Sequence, residues 1–269
     1  MTSSTLPTLY LSHGGGPWPW MQGPWHDAHA RLAEELAQIS GYLGAKPKAV
    51  LMVSAHWEEG DFTLSNHPNP PMLYDYSGFP ENTYHVQYPA RGSPQLAERA
   101  RDLIENAGMA ARFDTARGFD HGAFVPMALM YPEADIPMVQ LSLRRGLDPR
   151  VHLAVGRALA PLRNEGVLII GSGASYHNLG ALGPEAKIPS AAFDDWLQRT
   201  LVTEGVAQRT GALSAWQEAP SARDAHPREE HLIPLMVAVG AAERDVAVRF
   251  YHENDFFGSS SASSFVFGA

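Results

Sequence analysis

TLYLSHGGGPWPW, residues 8–20, passes from an apolar run into a histidine, three glycines and an alternation of proline with tryptophan. Its first five residues lack a clean polar/apolar alternation, the pattern of a strand covered on both faces. Such a strand belongs to a layered α/β domain. The turn after it is costly in backbone entropy, and a loop of that cost usually has something to hold.

Four more segments share the apolar pattern: KAVLMVSA (48–55), IPMVQLSL (136–143), GVLIIGSG (166–173) and DVAVRFYH (245–252). Between them lie helical periodicities at WHDAHARLAEELAQIS (25–40), SPQLAERARDLIENAG (93–108), DPRVHLAVGRALAPL (148–162) and SAAFDDWLQRTLVTEGV (190–206). Ser-Pro and Asp-Pro mark helix starts, and glycine marks an end. The alternation predicts an α/β fold: a three-layer sandwich with a central, largely parallel or mixed sheet flanked by helices. One domain is expected over residues 1–269. SNHPNPPMLYDYSGFPENTYHVQYPARGSP (65–94) breaks the rhythm. Its proline, glycine and aromatic content predicts a substrate-rim loop. The Ser-rich tail GSSSASSFVFGA (258–269) returns to apolar residues and is expected to dock.

The chain has 269 residues, 45% of them hydrophobic and 18% charged, with a formal net charge of -9. An acidic surplus argues against nucleic acid and against anionic lipid as partners. With no cysteine, disulfides and thiolate metal sites are excluded, so a metal must use His, Asp or Glu. No apolar stretch approaches the ~20 residues of a membrane span. MTSSTLPTLY lacks the layout of a secretory signal. A cytoplasmic protein is expected.

The histidines carry the functional signal. His13 follows the first strand, His56 lies just past the second, and His177 lies just past GVLIIGSG. Ligands of open α/β sheets bind outside the carboxyl ends of the strands. His121 and His231 each precede an apolar helical pattern with a proline shortly after, which puts them near helix N-termini. His226 competes with His231. His67 and His85 lie in the rim loop, within reach of substrate. His26, His29 and His152 sit on helical patterns, and His252 ends a strand. Imidazole with carboxylate suits Zn, Fe, Cu or Ni. Two His and one carboxylate with open positions fit a non-haem Fe(II) oxygenase, while three His fit a zinc hydrolase equally. The residues alone lead to a mononuclear His-rich site in an aromatic-rimmed crevice.

SHGGGP (12–17), SAHWE (54–58), DHGAFVPM (120–127), GSGASYHNL (171–179) and HPREEHLIPL (226–235), in this order, resemble the class III extradiol ring-cleavage dioxygenases, in the DOPA 4,5-dioxygenase-like branch. The resemblance implies a catechol and O2 as partners, opened to a muconic semialdehyde at a mononuclear metal. Fe(II) would serve catalysis, and Zn(II) would occupy the protein as isolated. His13, His56 and His231 would be metal ligands. His177 would be a further ligand or the acid/base, and His121 would contact substrate or oxygen. The wider class uses a glutamate as third ligand, so Glu229 and Glu230 remain alternatives to His231, as does His226. Gly14 to Gly16 would let backbone approach the metal site. Trp18, Trp20 and Trp57 would wall the crevice, with Trp18 and Trp57 against substrate. Arg91, Arg117, Arg144 and Arg145 are candidate carboxylate receptors.

Two rivals remain: a zinc hydrolase using Glu58, Glu229 or Glu230 as base, and a non-catalytic metal-binding member of the same fold. A nucleotide site at GSGASYHNLG ranks below both, because the run is not G-x-G-x-x-G. The catechol, the position of cleavage and homo-oligomer formation stay open.

Overall fold

Strands form at all five apolar runs and at three further segments. They are β1 (Thr8–Ser12), β2 (Ala49–Glu59), β3 (Phe62–Ser65), β4 (Ala111–Asp114), β5 (Met138–Arg144), β6 (Val167–Gly173), β7 (Ala247–Phe256) and β8 (Ser260–Phe267). The computed structural model describes residues 5–268. One sheet takes all eight strands in the order β4-β3-β5-β2-β6-β1-β8-β7. β5, β2, β6 and β1 run parallel in the middle, while β8 pairs antiparallel with both β1 and β7. The sheet is therefore mixed.

Among the described residues, seven helices of nine residues or more flank it: α1 (Ala30–Tyr42), α2 (Pro94–Asn106), α3 (His121–Met130), α4 (Pro149–Leu159), α5 (Lys187–Gln198), α6 (Val206–Ser214) and α7 (Ile233–Ala241). The strands bury both faces. Leu9, Leu11, Val50, Met52, Leu168 and Ile170 pack with α1 and α3. Tyr10, Leu51, Val53, Val167 and Ile169 pack with α2, α4, α5 and α7. Successive side chains of a strand point to opposite faces, so two apolar layers require an uninterrupted apolar run.

The departures from expectation are local. β3 and β4 are four residues each, too short to show a period. β8 was expected only as a docked tail, but it is a buried strand between β1 and β7. Its serines are paired: Ser12 N–H donates to Ser264 Oγ at 3.0 Å, and Ser260 Oγ donates to the Phe256 carbonyl at 2.8 Å. The helical pattern at 25–40 splits at His29. That ring accepts from Gly15 N–H at 3.1 Å and donates to the Trp25 carbonyl at 2.7 Å. No helix among the described residues is long and apolar enough to cross a membrane.

Candidate active site

His13, His56, His121, His177 and His231 come together at the carboxyl ends of β1, β2 and β6, each brought there by a different backbone device. His13 extends β1 by one residue, its N–H donating to the Gly173 carbonyl at 3.1 Å. His56 is inside β2 rather than past its end. The β2–β5 register shifts between Val53 and Glu58, and His56 rides on that irregularity; such bulges re-aim side chains next to active sites. His121 opens α3, whose first turn is capped by Asp120. His231 lies two residues before α7. Gly173 makes its approach possible, since a Cβ there would meet the His231 carbonyl oxygen at 2.0 Å. That oxygen accepts from Tyr10 OH at 2.9 Å and from Ala174 N–H at 3.1 Å.

Two sets of donors result. His13, His56 and His121 form one, and His177, Glu230 and His231 form the other; within each set the ligand atoms lie within 4.8 Å of one another. The sets adjoin, with ring centroids 4.9 Å apart for His56–His231 and 5.3 Å for His13–His231.

Hydrogen bonds orient each ring. Ser172 Oγ donates to the Gly122 carbonyl at 2.5 Å. Its one proton is then used, so it accepts from His13 Nδ1–H at 3.0 Å. This leaves His13 Nε2 as a bare acceptor, 3.0 Å from His56 Nε2. Asp75 Oδ1 accepts from both the backbone N–H and Nδ1–H of His121, at 3.0 and 2.8 Å, and Asp75 Oδ2 lies 3.7 Å from His56 Nδ1. Glu230 Oε1 is 3.2 Å from His177 Nδ1 and 3.1 Å from His231 Nδ1, beneath the two stacked rings. Each carboxylate thus holds an imidazole by Nδ1, the arrangement that turns Nε2 toward a metal.

The electrostatics favour neutral rings facing the centre. Burial, reinforced by repulsion from the other imidazoles, holds His13 well below the usual histidine range. Burial likewise lowers His56 to about 4 and places His231 well below the ordinary value. Burial pushes Asp75 up, but the His121 hydrogen bond and charge outweigh it and hold the carboxyl at about 2. Glu230 follows the same balance: burial raises it, and hydrogen bonds from His177 and His231 bring it below the ordinary carboxylate range.

The residues fit a divalent metal. Two nitrogens each ~2.1 Å from one ion, at a right angle, lie about 3.0 Å apart, which is the His13–His56 spacing. Neutral imidazoles with fixed tautomers are what such an ion requires.

Above this floor opens a cavity of about 290 Å³. Its wall differs from the expected one. Trp25, Tyr76, Phe79, Tyr176, Phe256 and Phe257 line it. Trp18 stands behind it: its indole N–H donates to the His13 carbonyl at 2.8 Å and its ring stacks on His29 at 4.6 Å. Trp57 donates to Glu59 and lies under the Arg117 guanidinium, 4.5 Å from the ring centre. Trp20 packs on Phe124. The glycines make room for aromatic side chains rather than for the metal. A Cβ at Gly14 would meet Trp18 Nε1 at 2.3 Å, at Gly15 the Trp25 ring at 2.7 Å, and at Gly16 the Phe79 ring at 2.7 Å.

Several candidates have other partners. Glu229 pairs with Arg223 at 2.7 Å and Glu58 with Arg228 at 2.6 Å. His226 is buried, its Nε2–H donating to the Ser175 carbonyl at 3.0 Å. Arg117 bonds Asp120 at 2.9 Å, and Arg144 and Arg145 line a separate hollow. Arg91, His67 and His85 do not line the cavity. Asp75, Trp25, Phe256 and Phe257 lie outside the five sequence motifs. The only sequence signals for them are an acidic residue inside an aromatic run (YDY, 74–76) and the FFG turn (256–258).

A family model described as the catalytic LigB subunit of aromatic ring-opening dioxygenase matches residues 2–268. Beet (Beta vulgaris) 4,5-DOPA dioxygenase extradiol is 43% identical, over 82% of this chain and 83% of its own. The Escherichia coli K12 protein of the same name is 32% identical, over 100% of this chain and 97% of its own. The dioxygenase tasH of Hapsidospora irregularis is 39% identical over 91% of this chain and 81% of its own. The crystal structure of an uncharacterized E. coli K12 protein superposes with a TM-score of 0.78 at 28% identity, covering 98% of this chain and 100% of that one.

Proposed function

The chain belongs to the LigB family of extradiol aromatic ring-opening dioxygenases, and on that premise we propose that it opens a catechol to a muconic semialdehyde at one Fe(II) held by His13, His56 and His231. The His13–His56 Nε2 spacing of 3.0 Å, with the His231 ring alongside, carries this reading. Zn(II) would occupy the same nitrogens in protein isolated without added iron. When bound, the metal supplies a Lewis acid for the diol and the electronic path between the ring and O2.

The residues supply the rest. His177 accepts the second hydroxyl proton of the catechol at Nε2, because its Nδ1 faces Glu230 Oε1 at 3.2 Å. Glu230 then stabilises the resulting imidazolium, as a carboxylate does behind a catalytic histidine. His121 also lines the cavity. Asp75 Oδ1 accepts from its Nδ1–H at 2.8 Å and orients the ring toward bound substrate or oxygen. The aromatic wall excludes water from the open positions.

Metal analysis tests the assignment. His13→Ala, His56→Ala and His231→Ala are each expected to lose bound iron, while His226→Gln and Glu229→Gln retain it. Full iron content in any of the first three would overturn the ligand set.

A further inference from the structure

We propose that the cavity selects catechols with an uncharged, apolar substituent and rejects those carrying a carboxylate or an ammonium group. This rests on the ring-cleavage reading of the same site. None of the residues lining the cavity is Asp, Glu, Lys or Arg. The two carboxylates that contact the lining histidines are already paired: Asp75 holds His121, and Glu230 holds His177 and His231 and is also 3.4 Å from Arg228. A substituent charge entering here would leave water and meet imidazoles and the Ser12 hydroxyl, with no carboxylate, ammonium or guanidinium of opposite sign among the lining residues to offset the loss.

Two further features point to an apolar guest. Leu179 lines the mouth with 70% of its surface exposed. An exposed leucine gains most when an apolar group covers it. Phe257, at the β7–β8 turn, has a φ of +53°, in the left-handed region that bulky residues avoid. That backbone presents its ring to the cavity, 4.8 Å from Trp25 between ring centres. Strain of this kind persists where the surroundings enforce it, commonly at ligand clamps. Leu179, Leu182, Trp25, Phe79, Phe256 and Phe257 together make an apolar sleeve around whatever projects from the diol ring.

The test compares 4-ethylcatechol with 3,4-dihydroxyphenylacetate, dopamine and L-DOPA. Anaerobic calorimetry on Zn(II)-loaded protein gives the affinity order, and oxygen uptake by Fe(II)-loaded protein gives kcat/KM. Expected is at least a ~10-fold preference for 4-ethylcatechol over each charged catechol by both measures. Leu179→Arg, at an exposed position, is expected to cut the 4-ethylcatechol to dihydroxyphenylacetate ratio by about tenfold. Equal or better binding of any charged catechol would overturn the proposal, as would an unchanged ratio in Leu179→Arg. Absence of oxygen uptake with every catechol would overturn the ring-cleavage reading, and the affinity order would still decide the selectivity.

Discussion

The floor and the wall of the cavity are built on opposite principles. The floor is polar and rises from strand ends and helix starts, with four of its five rings held by a hydrogen bond to Ser172, Asp75 or Glu230. The wall is apolar and comes mostly from loops and turns: the 65–94 loop, the 174–182 segment after β6 and the FFG turn between β7 and β8, with Trp25 from a single helical turn at 24–27. Rigid elements fix reacting groups, whereas loops can vary without disturbing them. The chemistry of this chain therefore belongs to the floor and its choice of substrate to the wall.

Substitutions separate the two in order of expected size. His177→Asn should lower kcat by about 10²–10⁴-fold, the range for loss of a general base, with iron retained. A loss of iron in that variant would make His177 a ligand instead. Asp75→Asn keeps an acceptor for His121 but removes the charge behind it. It should cost about 10–100-fold in kcat with an unchanged melting temperature. A drop in stability without one in kcat would confine Asp75 to holding the rim loop. Gly14→Ala acts on the wall. With φ of +75° and Trp18 Nε1 at 2.3 Å from the added Cβ, it should destabilise by ~1–3 kcal/mol, read by denaturant melts.

The smallest effect is a slope in pH. Burial lowers His29, under the wall, and His152, on α4 against the end of β5, to about 4 each. The folded state keeps both neutral, so the unfolded chain binds more protons below its ordinary histidine pKa. Stability is complete above about pH 6.5 and falls toward pH 4, by at most about 1.4 kcal/mol per pH unit for each ring. His152→Gln should flatten that slope in acid melts, while the same slope in wild type and variant would show that the ring is not buried neutral.

The same contrast explains what was legible in the sequence. The apolar runs announced the central strands because two buried faces leave no polar positions, and the histidines that end or follow those runs had to lie at one edge of the sheet. β8 was hidden because its buried serines look like a polar tail until their partners on β1, β7 and neighbouring loops are in place. Asp75 was hidden because its partner His121 is 46 residues away. The tryptophans of the PWPW turn were visible, but their direction was not. Trp18 turns inward to brace His13, and Trp25, seen only as part of a helical pattern, faces the cavity.

Oxygen consumption by protein purified without oxygen and reloaded with Fe(II) or with Zn(II), on a panel of catechols, tests the central claim most directly. The account predicts uptake with Fe(II) only, in step with catechol loss and appearance of a yellow ring-opened product. Iron-loaded protein that leaves every catechol and the oxygen untouched would contradict it.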